Sequence, residues 1–188
     1  MSSIHRWHEQ HERHSIRCCV ALTLRMLRHV LVRHRLVHAI VLLRTMSYRA
    51  IRVTSFGDPH VMKVEEQPEI LAGDVAPNEL VIDIHAAGVN PVDTYFRSGL
   101  RGGVTVPYTP GSDAAGVVSL VGSQVQRWKV GDRVYTSGMK HGAYAQKARV
   151  TEEQLQPLPD TVSFYQGAGL HVPYATAYYA LFQRAAYV

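Results

Sequence analysis

A chain of 188 residues holds one domain with an appendage, or at most two small domains, and its 46% hydrophobic content is ordinary for a packed core. The formal net charge of +5 is unevenly placed: residues 1–45 hold eight Arg, no Lys and two Glu, whereas residues 46–188 hold twelve basic and thirteen acidic side chains. The body is therefore nearly neutral, which argues against a nucleic-acid surface there, and the only cysteines, adjacent Cys18 and Cys19, exclude a disulfide framework for it.

The N-terminal segment carries seven of the eleven histidines, with His5, His8, His11 and His14 at three-residue spacing. That spacing could line one face of a helix as a metal-binding tract. No carboxylate or thiol cluster completes a site, so the plainer reading is a biased, solvated segment. Residues 16–43 are apolar, but Arg25, Arg28, Arg33 and Arg35 make them too costly as a membrane span. An Arg-rich, acid-poor stretch of this kind also fits a mitochondrial transit peptide, although serine is scarce and histidine abundant.

Arg49–Phe56 and His60–Glu66 read as strands separated by Gly57-Asp58-Pro59. Glu69–Asn78, with Gly73, Asp74, Pro77 and Asn78, reads as a loop. Leu80–Ala86 alternates: Leu80, Ile82 and Ile84 share one face, and Val81, Asp83 and His85 the other. That period of two predicts a half-buried strand. Asn90 can cap a helix whose first position is Pro91 and whose end is Gly99.

Ala114–Val121 is a strand of small and β-branched residues. Val130–Val134 contains a tight turn at Gly131-Asp132, and Ala143–Val150 is a further strand. Leu155–Pro159 reads as a proline-punctuated loop. Ser163 with Gln166 is a capping-box pattern that opens a helical region, which Pro173 divides in two. Many short strands with glycine turns predict a mainly β fold with helices, closed towards a small barrel. Gly167-Ala168-Gly169-Leu170-His171-Val172 is not a dinucleotide fingerprint, since it lacks the third glycine and follows no strand.

The most informative stretch is Gly88-Val-Asn-Pro-Val-Asp-Thr-Tyr-Phe-Arg-Ser-Gly99, followed by Pro107-Tyr-Thr-Pro-Gly-Ser-Asp-Ala-Ala-Gly116. It resembles the catalytic-domain signature of medium-chain dehydrogenase/reductases, and within them the zeta-crystallin-type NADPH-dependent quinone oxidoreductases. The resemblance runs from about Ser47 to the last residue. It implies a GroES-like, partly open β-barrel over residues 47–160, a helical connection over residues 161–188, and a leader over residues 1–46 outside the fold, with Met46 as the usual start.

Reduction of a quinone or enone by hydride puts negative charge on the carbonyl oxygen, which a metal or hydrogen-bond donors must stabilise. The resemblance implies that zinc enzymes of the superfamily have Cys at the position of Asn90 and a His-Glu pair at Ser112-Asp113. Asn and Ser are not credible zinc ligands, so the zinc-independent branch is implied. Tyr95 then becomes the catalytic donor and a neighbour of the nicotinamide. Its plainer reading is a helix tyrosine packed on the barrel.

Asn90 can orient an amide or hydroxyl of the cofactor, and it can cap its helix; the two roles are compatible. Asp93 holds Tyr95 or a ribose hydroxyl, or else serves as a first-turn carboxylate favoured by the helix dipole. Thr176 matches a threonine that approaches the nicotinamide in the family, and a helix threonine bonded to its own backbone is the alternative. Gly111 and Gly116 read as structural, and His141 and His171 as core or surface residues.

The phosphate-binding glycine run that the family places soon after Val188 is not in this sequence, and that domain supplies most of the affinity for NADPH. The expected activity is that of the N-terminal catalytic part of a quinone oxidoreductase, inactive alone, cytoplasmic or mitochondrial by way of its leader, and a homo-oligomer when complete. The rival is a non-enzymatic barrel that binds a protein or RNA partner, with the neutral body arguing against RNA.

Overall fold

The computed structural model describes residues 46–185. The readings made for the histidine tract, the arginine-rich stretch and the cysteine pair lie outside the described residues. Strands β1 (Ser47–Val53) and β2 (Met62–Pro68) form an antiparallel hairpin, in register from Ser47–Pro68 to Val53–Met62. A 3-10 turn at Pro59–Val61 joins them.

The remaining strands are β3 (Glu79–Gly88), β4 (Asp113–Val121), β5 (Arg133–Thr136), β6 (Lys147–Thr151) and β7 (Leu155–Pro157). They form one antiparallel sheet in the order β6-β3-β4-β5-β7. Backbone bonds join the hairpin to it: Ile51 N–H donates to Tyr144 O at 2.8 Å, and Gln146 N–H donates to Arg49 O at 2.9 Å. The chain then runs from residue 146 into β6, so the strands follow one another from β2 to β7. Register shifts in the β3–β4 pair, at Val81/Ile82 and Ile84/Ala86, add local coil to the sheet. The result is the expected mainly β architecture with short helices.

Leu80, Ile82, Ala114, Val118, Val134, Ala148, Val150 and Leu155 fill the barrel core. The opposite face of β4 meets a second cluster, where Ala115 packs with Leu158 and Ala168. The small residues of β4 follow from this double coverage. A Cβ on Gly116 would stand 2.0 Å from the carbonyl oxygen of Asp83 in the neighbouring strand, so only glycine fits there.

Four sequence readings need correction. Val81 is fully buried along with Leu80 and Ile82, so the first half of β3 is covered on both faces rather than half-buried. Leu155–Pro157 is a strand rather than a loop: it pairs with β5 at the end of the sheet, where proline is tolerated because its missing N–H faces no ladder partner. The strand expected over Ala143–Val150 is split: β6 carries the ladder to β3, and residues 144–146 bond to β1, with Gln146 O also accepting from Ile84 N–H of β3.

The fourth concerns the helical region. It breaks at Ala168–Leu170, between α2 (Phe164–Gly167) and α3 (His171–Tyr178), and α3 continues into a π-helical turn at Tyr179–Arg184. Pro173 does not divide it. It sits in the first turn of α3, where no intrahelical N–H bond is lost. The Ser163–Gln166 capping box is present, with Gln166 N–H donating to Ser163 Oγ at 3.2 Å and Ser163 N–H donating to Gln166 Oε1 at 2.9 Å. No described helix is long and apolar enough to cross a membrane.

Candidate active site

Helix α1 (Pro91–Ser98) begins after Asn90, has Pro91 in its first turn and ends at Gly99, as its sequence predicts. It is clamped to the β1–β2 connection by two bonds between the same residues: Gly57 N–H donates to Arg97 O at 3.0 Å, and the Arg97 side chain donates through Nε to Gly57 O at 3.1 Å. The start of β4 lies against the start of α1, and the two bring together a buried polar group. Asn90, Asp93, Ser112 and Asp113 are all buried, with Asp113 only 1% exposed.

The Asn90 side chain makes no capping bond to its own helix. Its Nδ2 instead donates to Asp113 Oδ2 at 3.1 Å. Of its two predicted roles, the side-chain cap is therefore not used. Asp93 supplies the reciprocal cap, accepting from the Asn90 backbone N–H at 2.9 Å through Oδ2.

Asp93 does not hold Tyr95. Its Oδ2 also accepts from the Tyr144 hydroxyl at 2.8 Å, and Oδ1 lies 3.2 Å from Ser112 Oγ. Ser112 Oγ is also 3.1 Å from Lys140 O, and one hydroxyl proton serves one of these acceptors at a time. Burial, followed by the Asp93 carboxylate, pushes the Tyr144 phenol far above its ordinary value. Tyr144 is thus a permanent donor. Its ring occupies space that a Cβ on Gly111 would fill, since that atom would lie 2.3 Å from the ring.

Asp113 is the second hub. Both its oxygens accept from the Val172 N–H in the first turn of α3, at 3.1 and 3.3 Å. Burial raises its carboxyl above the usual range, and the bonds from Asn90 and Val172 oppose that shift. His171, next to Val172, is not an isolated histidine. Its Nε2 accepts from Gly138 N–H at 2.9 Å, and its Nδ1 lies 3.3 Å from Ser137 Oγ. Acceptance at Nε2 fixes the proton on Nδ1, which donates to Ser137.

Tyr95 and Thr176 stand apart from this network. Tyr95 is on the solvent side of α1, 49% exposed, two residues and about half a turn from Asp93. Thr176 is exposed on α3. Asn90 and Asp93 are therefore brought together with Ser112, Asp113 and Tyr144, while Tyr95 and Thr176 lie on the exposed surfaces of the two helices anchored by that group. Sequence reasoning missed Tyr144 and the connecting role of Asp113. The only local hint was Gly111, which leaves room for an aromatic ring. Among the described residues no group of three or more His, Cys, Asp and Glu side chains is placed to hold a metal ion.

Residues 76–160 match the alcohol dehydrogenase GroES-like domain family. Over 138 residues the chain is 45% identical to quinone oxidoreductase of Mus musculus, covering 73% of this chain and 41% of that protein. Over 136 residues it is 38% identical to quinone oxidoreductase of Pseudomonas aeruginosa, covering 72% and 41%. Among solved structures, Escherichia coli quinone oxidoreductase complexed with NADPH aligns with a TM-score of 0.65 and 34% identity, over 73% of this chain and 41% of that one. Pseudomonas syringae quinone oxidoreductase gives 0.67 and 37%, over 76% and 42%. The chain spans about two-fifths of the length of the curated relatives it matches.

Proposed function

We propose that this chain, a homologue of the quinone oxidoreductases whose residues 76–160 form an alcohol dehydrogenase GroES-like domain, is the catalytic portion of an NADPH-dependent, zinc-independent reductase of quinones or activated alkenes. The observation that carries the proposal is the bond from Asn90 Nδ2 to buried Asp113. It closes, with hydrogen bonds alone, the positions where the zinc enzymes of the superfamily resemble this chain but hold a metal.

NADPH is implied by the relatives, and the described residues fit only one end of it. Tyr95 and Thr176 offer exposed hydroxyls on neighbouring helices, suited to the nicotinamide side. The described residues contain no glycine-rich strand–turn–helix cradle for its phosphates. When bound, NADPH supplies the hydride.

The protein's own share is electrostatic and positional. Tyr95 presents its phenol O–H to the substrate oxygen as negative charge develops there. Asn90, held through both its backbone N–H and its side chain, keeps the start of α1 in place and retains one amide proton for cofactor or substrate. Asp113 holds the first turn of α3, which carries Thr176. The substrate is a small quinone or enone, and the chain's site is completed by the part of the relatives that it does not span.

Turnover of NADPH with a quinone acceptor tests the proposal, measured on this chain and on a full-length homologue. The full-length protein should turn over and the 188-residue chain should scarcely do so. In the full-length protein, Phe at the position of Tyr95 should lower kcat by about 10²–10³. An unchanged rate with chemistry rate-limiting removes Tyr95 from the mechanism. Absence of turnover in both proteins favours the barrel as a binding module.

A further inference from the structure

A groove of about 740 Å³ opens between the outer side of β1, the 103–109 loop and the 141–149 segment. That is the size of a small-molecule site. None of Asn90, Asp93, Tyr95 or Thr176 lines it, so it is a different surface from the site described above. No Asp or Glu is among its lining residues, whereas Arg52, Lys147 and Arg149 are.

Two of these three cations are already matched. Lys147 Nζ lies 2.8 Å from Asp83 and 3.1 Å from Glu69, and Arg149 lies 3.7 Å from Glu79. Arg52 has no carboxylate partner among the described residues. Its Nη1 donates to Thr109 Oγ1 at 3.2 Å and its Nη2 to Pro107 O at 3.3 Å. These bonds use two of the five guanidinium protons and fix its plane against the loop, leaving three donors free.

Beside it, Tyr108 is 5% exposed and its hydroxyl is buried with no hydrogen-bond partner among the described residues. His141 meets the Tyr108 ring edge-on at 6.0 Å, and burial lowers its pKa, so it carries no second positive charge at neutral pH. Tyr48, Ile70 and Pro107 supply apolar wall.

We propose that this groove binds a small aromatic carboxylate, with the carboxylate on Arg52 and the ring against the tyrosine and proline walls. A fixed guanidinium without a carboxylate partner selects the anion, and flat apolar walls select an aromatic body over a hydrated inorganic ion.

The experiment titrates the full chain with benzoate, benzamide and inorganic phosphate, following amide shifts by two-dimensional NMR. Benzoate should bind saturably and shift residues 103–109 and 141–149. Benzamide and phosphate should each bind about tenfold more weakly or worse. Arg52→Gln should weaken benzoate about tenfold, while Arg49→Gln, on the same strand but outside this groove, should leave it unchanged. Should Arg52→Gln fail to fold, Arg52→Lys keeps the charge, loses the fork, and should still weaken benzoate severalfold. The proposal is overturned by benzoate binding that ignores both Arg52 substitutions, by phosphate binding as tightly as benzoate, or by no saturable benzoate binding.

Discussion

Tyr144→Phe removes one oxygen atom from the centre of the polar group and changes little else. The ring keeps its seat over Gly111, and no cavity larger than a hydroxyl is left. What disappears is a donor at 2.8 Å to the carboxylate of Asp93, which is itself buried. A hydrogen bond to a charged group is worth about 1.5–3 kcal/mol. Asp93 keeps the Asn90 N–H and shares the Ser112 hydroxyl, so it is not left as an unpaired buried charge, and the loss should stay within that range. Urea unfolding of the full chain should show a lower midpoint with an unchanged m-value. With m of about 1–3 kcal/mol/M the shift is on the order of 1 M. Pairing the change with Asp93→Asn in a double-mutant cycle should give a coupling of the same sign and similar size. A loss below about 0.5 kcal/mol, typical of an idle surface site, or strict additivity of the two changes, would refute the argument.

Gly116→Ala should prevent folding or cost more than about 4 kcal/mol, because the new Cβ meets backbone at 2.0 Å rather than a movable side chain; soluble expression and a melting curve check it, and a mild variant would mean that β3 and β4 can separate locally. Asp113→Asn addresses pH. The folded carboxyl titrates above its ordinary value of 3.8, so its contribution is fully present below that value and is lost as pH rises through the folded pKa. The stability of wild type minus that of the variant, taken from urea midpoints, should therefore fall with rising pH across this window, and a difference that rises would reverse the assignment. Metal analysis of purified protein should find less than one equivalent of zinc; stoichiometric zinc that stabilises the fold and resists chelation would contradict the hydrogen-bonded reading of Asn90 and Ser112.

The sequence revealed most where structure is fixed locally. Asn90-Pro91 and Gly99 frame α1 because helix ends are set by a few neighbouring residues, and the same holds for Ser163 and Gln166. It revealed least where partners are distant. Tyr144 and Asp93 are 51 residues apart and Val172 and Asp113 are 59 apart, and no periodicity signals either pair. Val81 was misread because apolar/polar alternation reports one covered face, whereas the first half of this strand has two. Leu155–Pro157 was misread because proline opposes a strand everywhere except at an edge. The residue type of Asn90 suits a cap, but its amide meets Asp113, which arrives from β4 and has no signal in the local sequence.

The seam between β1 and residues 144–146 joins parts of the chain almost a hundred positions apart; the bond from Arg49 N–H to the Gln146 side chain alone spans 97 residues. Contacts so distant form slowly, because a large loop must be closed before they return any stabilisation. Tyr144 is carried by this seam. During synthesis, Asn90, Asp93 and Asp113 emerge well before it, and the Asp93 carboxylate goes without its phenol until 51 further residues have been made. The polar group is thus finished by the same late step that joins the hairpin to the sheet, and a nascent chain halted before residue 144 can hold neither.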